Sequence, residues 1–463
     1  MRITEIQSCD VRPGRLVEWA LSPDSVAAAA HLPDDARPPA YIQESHFRTA
    51  RSVHEDGLSV PTWLAVCFDI PGRADLDALE RALLDWTLRH ETLRSGFRWS
   101  GDTMSRFTLA PEAVTLRRTV IGEFTDAERL VRHLEDRFDA TANALTWPNY
   151  LYTAVVRDDG ASVYLAFDHS NVDAYSLHRL PAEIRERYDA HTGGHAEPPR
   201  PAASYVDFCD LERADADAID EDHEIIAHWR EFVRRNDGRL PAFPVDLGLE
   251  PGGPLPRQSV MHHMLVDADA AAGFEAFCRP YGGTQVGVLA ATSLIVHQIG
   301  GVPEYRTVVP MHTRMKSRWT DSVGWYVGGA PIEIPAAPDL PSAMRSVRAE
   351  LKASRLLARM PLGRVLRLLG SDFRPTSPDL HSIVSYLDAR DLPGSEHWTE
   401  LNTYGVLRVS YGDQVCVWIN RVHEGLWFAC RHPLTDTAHK NMRLYAELLR
   451  DMILSIPRQQ PHS

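Results

Sequence analysis

The clearest alternation of hydrophobic and polar residues runs from Ala161 to His169. Val163, Leu165 and Phe167 share one face of a strand with a period of two, and the same period places His169 on that face. The pattern therefore predicts a strand whose last residue, His169, points toward a core or a cleft.

A helical pattern follows this strand after a break at residues 171–173. Ser176 stands where an N-cap residue is expected. The apolar residues that return at the spacing of one helix face are Leu177, Leu180, Ile184 and Tyr188. Asp173, four residues after the histidine, is consequently predicted at or near a helix start.

Similar patterns predict strands and helices on both sides of a Pro-rich segment at residues 197–201. Since 463 residues exceed what one core usually supports, two lobes are expected. We place an N-terminal lobe at residues 1–190, a linker at 191–202 and a C-terminal lobe at 203–463. The predicted strands and helices are Trp63 to Ile70, Leu76 to Leu93, Ser259 to Val266, Thr284 to Ile299, Arg306 to Pro310, Ser382 to Leu387, Leu407 to Ser410, Val415 to Ile419 and Leu426 to Cys430. Tyr411 to Asp413 is interpreted as a hairpin turn.

Composition restricts the classes of partner. The formal net charge of −14 argues against a nucleic acid partner, and no apolar run is long enough to span a membrane. With no secretion signal at the N-terminus and six cysteines that form no C-x-x-C pair, we expect a cytoplasmic enzyme with reduced thiols. No metal site is expected, because His191 and His195 lie on a Gly-rich linker.

The spacing of His169 and Asp173 alone does not identify a site. The motif H-x-x-x-D occurs four times in the chain, and His262 to Asp267 spells H-H-x-x-x-D literally. Short motifs of this kind arise by chance. The choice between His169 and His263 therefore depends on the surrounding sequence.

That surrounding sequence includes the block from Arg89 to Phe97, which resembles the R-H-E-x-L-R-x-x-F signature of the condensation-domain superfamily. In this superfamily an active-site motif H-H-x-x-x-D-G follows the signature by some tens of residues, and Asp168 to Ala174 stands at that place. Other blocks resemble the family in the same order: Tyr41 to His46, Ser204 to Phe208, Thr284 to Ala291, Pro310 to Arg314 with Thr313 for Asn, and Val323 to Val327. His263 is then interpreted as a strand residue that opens the second lobe.

The resemblance implies two chloramphenicol-acetyltransferase-like α/β lobes, two-layer sandwiches in a V-shaped pseudo-dimer, with His169 in a channel between them. His169 would be the general base or positioning group, a role that suits a side chain with a pKa of about 6.5. Asp173 would form an ion pair with Arg314 that braces the site. Asp168 replaces the first histidine of the motif and Ala174 replaces its glycine. Trp325 and Tyr326 either line the channel or pack in the core, and we favour packing.

The resemblance further implies a free-standing acyltransferase of secondary metabolism, nonribosomal peptide or lipid biosynthesis, which forms an ester or an amide without an acyl-enzyme. The donor would be a phosphopantetheine thioester on an acyl or peptidyl carrier protein or on CoA, with no permanently bound cofactor. The acceptor would be a small alcohol or amine. The second possibility is a catalytically weakened domain that serves as a binding platform. The third is an epimerase-like relative.

Overall fold

The computed structural model describes residues 1–57, 61–250, 252–374 and 382–456. The strands are β1 (Arg2–Thr4), β2 (Gly14–Leu21), β3 (Leu64–Pro71), β4 (Ser95–Ser100), β5 (Thr103–Thr108), β6 (Leu116–Phe124), β7 (Tyr150–Arg157), β8 (Gly160–Phe167), β9 (Gln258–Asp267), β10 (Glu304–His312), β11 (Val327–Pro335), β12 (Ile383–Asp388), β13 (Tyr404–Leu407), β14 (Cys416–Val422) and β15 (Gly425–Pro433). The helices are α1 (Pro23–Ala30), α2 (Tyr41–Glu55), α3 (Leu76–Arg89), α4 (Ala127–Thr141), α5 (Ala174–Thr192), α6 (Tyr205–Asp217), α7 (Glu224–Arg234), α8 (Ala268–Cys278), α9 (Thr284–Gly300), α10 (Leu340–Ala353), α11 (Leu362–Leu369) and α12 (Asp436–Leu454).

The first lobe is built on a seven-stranded sheet in the order β1-β13-β3-β8-β7-β2-β6. Strand β8 lies at its centre, antiparallel to β3 and β7, and all its residues are buried. Its odd-numbered apolar residues pack with α3 and α5, and Tyr164 and Ala166 pack with α4 on the other face. The alternation in β8 therefore separates two covered faces, and the strand ends at Phe167, two residues before His169.

The second lobe has a four-stranded sheet, β12-β14-β15-β9, and the antiparallel pair β10-β11. Helix α9 is buried along most of its length in the core of this lobe. Gly287 permits its close packing on α8, because a Cβ there would meet Cys278 Sγ at 2.2 Å. The predicted α/β class and the predicted strand-helix-strand order of this lobe are both observed.

One strand crosses between the lobes. Strand β13 belongs by sequence to residues 203–463, yet it lies in the first sheet between β1 and β3. The chain then enters β14 of the second sheet, so Tyr411 to Asp413 joins two sheets and the hairpin prediction is wrong. A division at residue 203 does not account for β13.

Two further predictions from the sequence concern the N-cap of α5 and membrane-spanning helices. The residue that caps α5 is Asp173, so the prediction of Ser176 as the N-cap is wrong. Among the helices in the described ranges, none is long and apolar enough to cross a membrane.

Candidate active site

His169 lies in a short 3-10 turn, His169–Asn171, between β8 and α5. Asp168 begins this turn: its backbone N–H donates to Asn149 O at 2.8 Å, and its carboxylate accepts from Ser170 N at 2.9 Å. The turn is fixed again by Asn149, whose side chain donates to Ser170 Oγ at 3.1 Å and accepts from Asn171 Nδ2 at 2.7 Å. The backbone that presents His169 is thus held at each of its residues.

Helix α2 supports the same turn with two side chains. Gln43 Nε2 donates to Ser170 O at 2.9 Å, and Gln43 Oε1 accepts from Ala40 N at 3.1 Å. One helical turn further on, His46 Nε2 lies 3.1 and 3.0 Å from the two carboxylate oxygens of Asp168. Gln43 and His46 belong to the family-like block from Tyr41 to His46, but their contacts with the turn were not predicted from the sequence.

The Asp168 side chain is fully buried. Burial alone raises the pKa of Asp168, but His46 and Ser170 together hold that pKa below its usual range. Asp168 is therefore an ionised acceptor, and Nε2 of His46 donates to it.

Asp173 and Arg314 form an ion pair between the two lobes. Arg314 Nη1 and Nη2 donate to the Asp173 carboxylate at 2.5 and 3.1 Å, and the exposed fractions of the two side chains are 4% for Asp173 and 5% for Arg314. The same carboxylate accepts from Tyr326 N at 3.0 Å and from Ser176 N and Oγ, both at 2.8 Å. Burial by itself raises the pKa of Asp173, but Arg314 and Ser176 keep it below its usual range.

Trp325 covers one face of His169. The two rings stack with centroids 4.0 Å apart and planes 23° apart, whereas Trp325 and His46 meet edge to face at 5.5 Å. Tyr326 is fully buried against Tyr205 and Phe208 and donates to Ser322 Oγ at 2.7 Å. Of the two aromatic residues, Tyr326 packs in the core as favoured, while Trp325 lies at the site.

Burial lowers the pKa of His169, and His46 lowers it further, against opposing effects of its own backbone carbonyl and of Asp168 and Asp173. Nδ1 is buried and, among the described residues, has no well-aligned hydrogen-bond partner; its neighbour is the carbonyl of its own residue. Nε2 is therefore the nitrogen that a substrate can reach. A neutral imidazole with Nε2 free can accept a proton.

Ala174 is the first residue of α5, and its side chain is exposed. Its backbone is helical, so this position does not require the conformational freedom of glycine. The methyl group adds bulk at the helix start, where Ala174 follows the capping residue Asp173 in the sequence. The structure gives no reason why alanine rather than glycine stands here.

Residues of the block from Arg89 to Phe97 have a supporting place in the structure. Arg89 Nη1, Trp86 Nε1 and His90 Nε2 all lie within 3.3 Å of Glu183 Oε2 on α5. This cluster joins α3 to α5. It explains why the block lies close to the site without contributing a reacting group.

The other candidate for the catalytic histidine lies outside the site around His169. His263 is on β9, the edge strand of the second sheet, where its ring packs on Phe428, and Asp267 caps α8. His191 bonds Asp85 Oδ2 at 2.8 Å and His195 bonds Gly193 O at 3.0 Å. Within the described ranges, no group of three or more His, Cys, Asp or Glu could hold a metal ion.

A family model described as Condensation domain matches residues 62–387, which is well over half of the chain. The chain belongs to the condensation-domain family. This membership confirms the resemblance drawn from the blocks around Arg89, His169 and Arg314.

Relatives of this condensation-family chain include named acyltransferases of Mycobacterium tuberculosis. Trehalose-2-sulfate acyltransferase PapA2 is 29% identical over 470 residues, covering 98% of this chain and 96% of that protein. 2'-acyl-2-O-sulfo-trehalose (hydroxy)phthioceranyltransferase PapA1 is 28% identical over 426 residues, covering 89% of this chain and 80% of that protein. The chain is an acyltransferase, as the sequence predicted.

Solved structures agree on the fold of this condensation-family acyltransferase. A PapA2 acyl transferase superposes with a TM-score of 0.90 at 26% identity and covers 98% of this chain and 99% of that one. The X-domain from teicoplanin biosynthesis superposes with a TM-score of 0.68 at 17% identity, covering 92% and 97%. The predicted arrangement of two α/β lobes is confirmed.

Proposed function

We propose that this enzyme transfers an acyl group from a thioester donor to a hydroxyl acceptor, with His169 as the general base. The observation that carries the proposal is the position of His169 at the junction of the lobes. Its ring has a lowered pKa, one buried nitrogen and one accessible nitrogen, and it is stacked on Trp325. The names of the relatives support a hydroxyl group of a sugar as the acceptor.

The chemistry needs one proton relay. Nε2 of His169 takes the proton of the acceptor hydroxyl as its oxygen attacks the thioester carbonyl, so a C–O bond forms. When the tetrahedral intermediate collapses, the C–S bond breaks and the imidazolium returns the proton to the leaving thiolate. The products are an ester and a free thiol, and no acyl-enzyme forms.

Asp173 and Arg314 have a positioning role in this proposal. Their ion pair joins the helix that follows His169 to the segment that follows β10, and Tyr326 N–H binds the same carboxylate. The pair therefore sets the distance between His169 and Trp325. A phosphopantetheine thioester on CoA or on a carrier protein is the donor class that fits this reaction.

The test is turnover of wild type, His169→Ala and His263→Ala with acyl-CoA and carrier-bound thioesters and trehalose-based or other alcohols. We expect His169→Ala to lose about 10²–10⁴-fold in kcat, which is the usual contribution of general-base catalysis. His263→Ala is the matched control, since His263 has the same H-x-x-x-D spacing, and it should keep wild-type turnover. Equal rates for wild type and His169→Ala would remove His169 from the mechanism and favour the binding-platform alternative.

A further inference from the structure

Outside the reacting group and its Asp173–Arg314 brace, the site contains a second polar pair that has no part in the proposed chemistry. His46 on α2 and Asp168 in the turn lie within 3.1 Å of each other, with the Asp168 side chain fully buried and the His46 side chain 12% exposed. A buried ion pair is costly to place and adds little to stability. Its position immediately before His169 points instead to a role in the site.

Two routes connect this pair to His169. One is covalent, since Asp168 precedes His169 and binds Ser170 N in the same turn. The other is through Trp325, whose ring is in an edge-to-face contact with His46 and is stacked on His169. A change in the His46 ring would therefore affect His169 by both routes.

We propose that His46 is a positioning residue for His169, acting through Asp168 and Trp325 to set the orientation and the protonation of that imidazole. This proposal rests on the proposed catalytic role of His169. Orientation comes from the ring stack of His169 on Trp325, and His46 contacts that Trp325 ring. Protonation is set by the opposing effects of His46 and Asp168 on the imidazole.

Within the described part of the chain, the side chains that act most on the pKa of His169 are His46, Asp168 and Asp173. His46 on α2 lowers its pKa, while Asp168 in the turn and Asp173 at the start of α5 raise it. Arg314, from the segment after β10, is bound to Asp173. Because His46 lowers the pKa of His169 and Asp168 raises it, removing one or the other should displace that pKa in opposite directions.

The experiment compares the pH dependence of kcat/KM for wild type, His46→Gln and Asp168→Asn. Glutamine keeps a donor for Asp168 but removes the imidazole that lowers the pKa of His169, so the acid limb of the pH profile should move to higher pH by roughly 0.5–1 unit. Asparagine removes the carboxylate charge, so the limb should move to lower pH by a similar amount. A merely structural pair would lower kcat in both variants without separating the limbs.

His263→Gln serves as the control and should leave the limb in place. Limbs that coincide in the two variants, or that move the same way, would overturn the proposal. If Asp168→Asn does not fold, an NMR titration of the His169 ring in wild type and in His46→Gln replaces the comparison of the two variants. A pKa of His169 that is the same in both proteins overturns the proposal. The titration needs no turnover, so it separates failure of this proposal from failure of His169 as the catalytic base, which His169→Ala tests.

Discussion

Two buried carboxylates flank His169, and each has a cationic or donor partner from another part of the chain. Asp168 meets His46 from α2, and Asp173 meets Arg314 from the second lobe. Deleting one partner of such a pair leaves a buried charge without compensation, which costs more than the intact pair contributes. The two carboxylates therefore require their partners, and through them the catalytic turn is tied to its surroundings.

Asp173→Ala is predicted to destabilise the fold and to lower activity together. It removes the N-cap of α5 and leaves Arg314 buried, so we expect about 3–5 kcal/mol of lost unfolding free energy. Asp267→Ala is the matched control, because Asp267 also follows a histidine by four residues and caps α8 through Ala270 N at 2.9 Å. It should cost only about 1 kcal/mol. Urea unfolding and turnover are the measurements, and equal losses in the two variants would contradict the bracing role.

Some of these residues could be predicted from the sequence and others could not. The period of the strand predicted His169 on an inward face, although β8 ends at Phe167. The helical spacing predicted Asp173 near a helix start, and both predictions come from local patterns. The ion pair with Arg314, 141 residues away, came only from the family resemblance. Gln43 and His46 were not assigned, because no local rule predicts which face of α2 meets a turn more than 120 residues later.

At the scale of elements, the segment between β10 and β11 places Trp325. Gly324 N donates to Ser176 Oγ on α5 at 3.3 Å, and Tyr205 OH donates to Trp325 O at 3.0 Å. The Tyr205 ring lies so close to Gly324 that a Cβ there would meet ring carbon at 2.3 Å. Glycine is required at this position by a close approach of an aromatic ring.

Gly324→Ala is accordingly predicted to displace Trp325 from His169. Overpacking of this kind costs about 1–3 kcal/mol, and we expect kcat to fall with it. Gly273→Ala is the control, since Gly273 lies within α8 and a Cβ there meets nothing within 4 Å. Its replacement should raise stability by about 0.5–1 kcal/mol. Thermal unfolding and turnover of both variants check this, and a stable, fully active Gly324→Ala would show that the segment tolerates the shift.

At the scale of the whole molecule, the lobes are interlocked by chain topology. Strand β13 supplies the pairing partner of both β1 and β3 in the first sheet. Without it β3 would become an exposed edge, and such edges promote aggregation. The active site also depends on the second half of the chain, because Trp325 and Arg314 come from it.

Residues 1–202 expressed alone should therefore fail to form a stable monomer. We expect aggregation, or weak and non-cooperative unfolding, by size-exclusion chromatography and circular dichroism. Coexpression with residues 203–463 is the control and should restore a soluble complex. A monomeric 1–202 fragment that unfolds cooperatively would mean that β13 is dispensable for the first lobe.

The sequence by itself determined the local elements, because the period of apolar residues distinguishes a strand from a helix and fixes which side chains share a face. It placed β8, α5 and His169, and its ordered blocks indicated the family and the acyl transfer. Only the tertiary structure decided the crossing of β13, the partner of Asp168 and the stacking of Trp325 on His169. These depend on contacts between segments far apart in the chain, for which the sequence has no period.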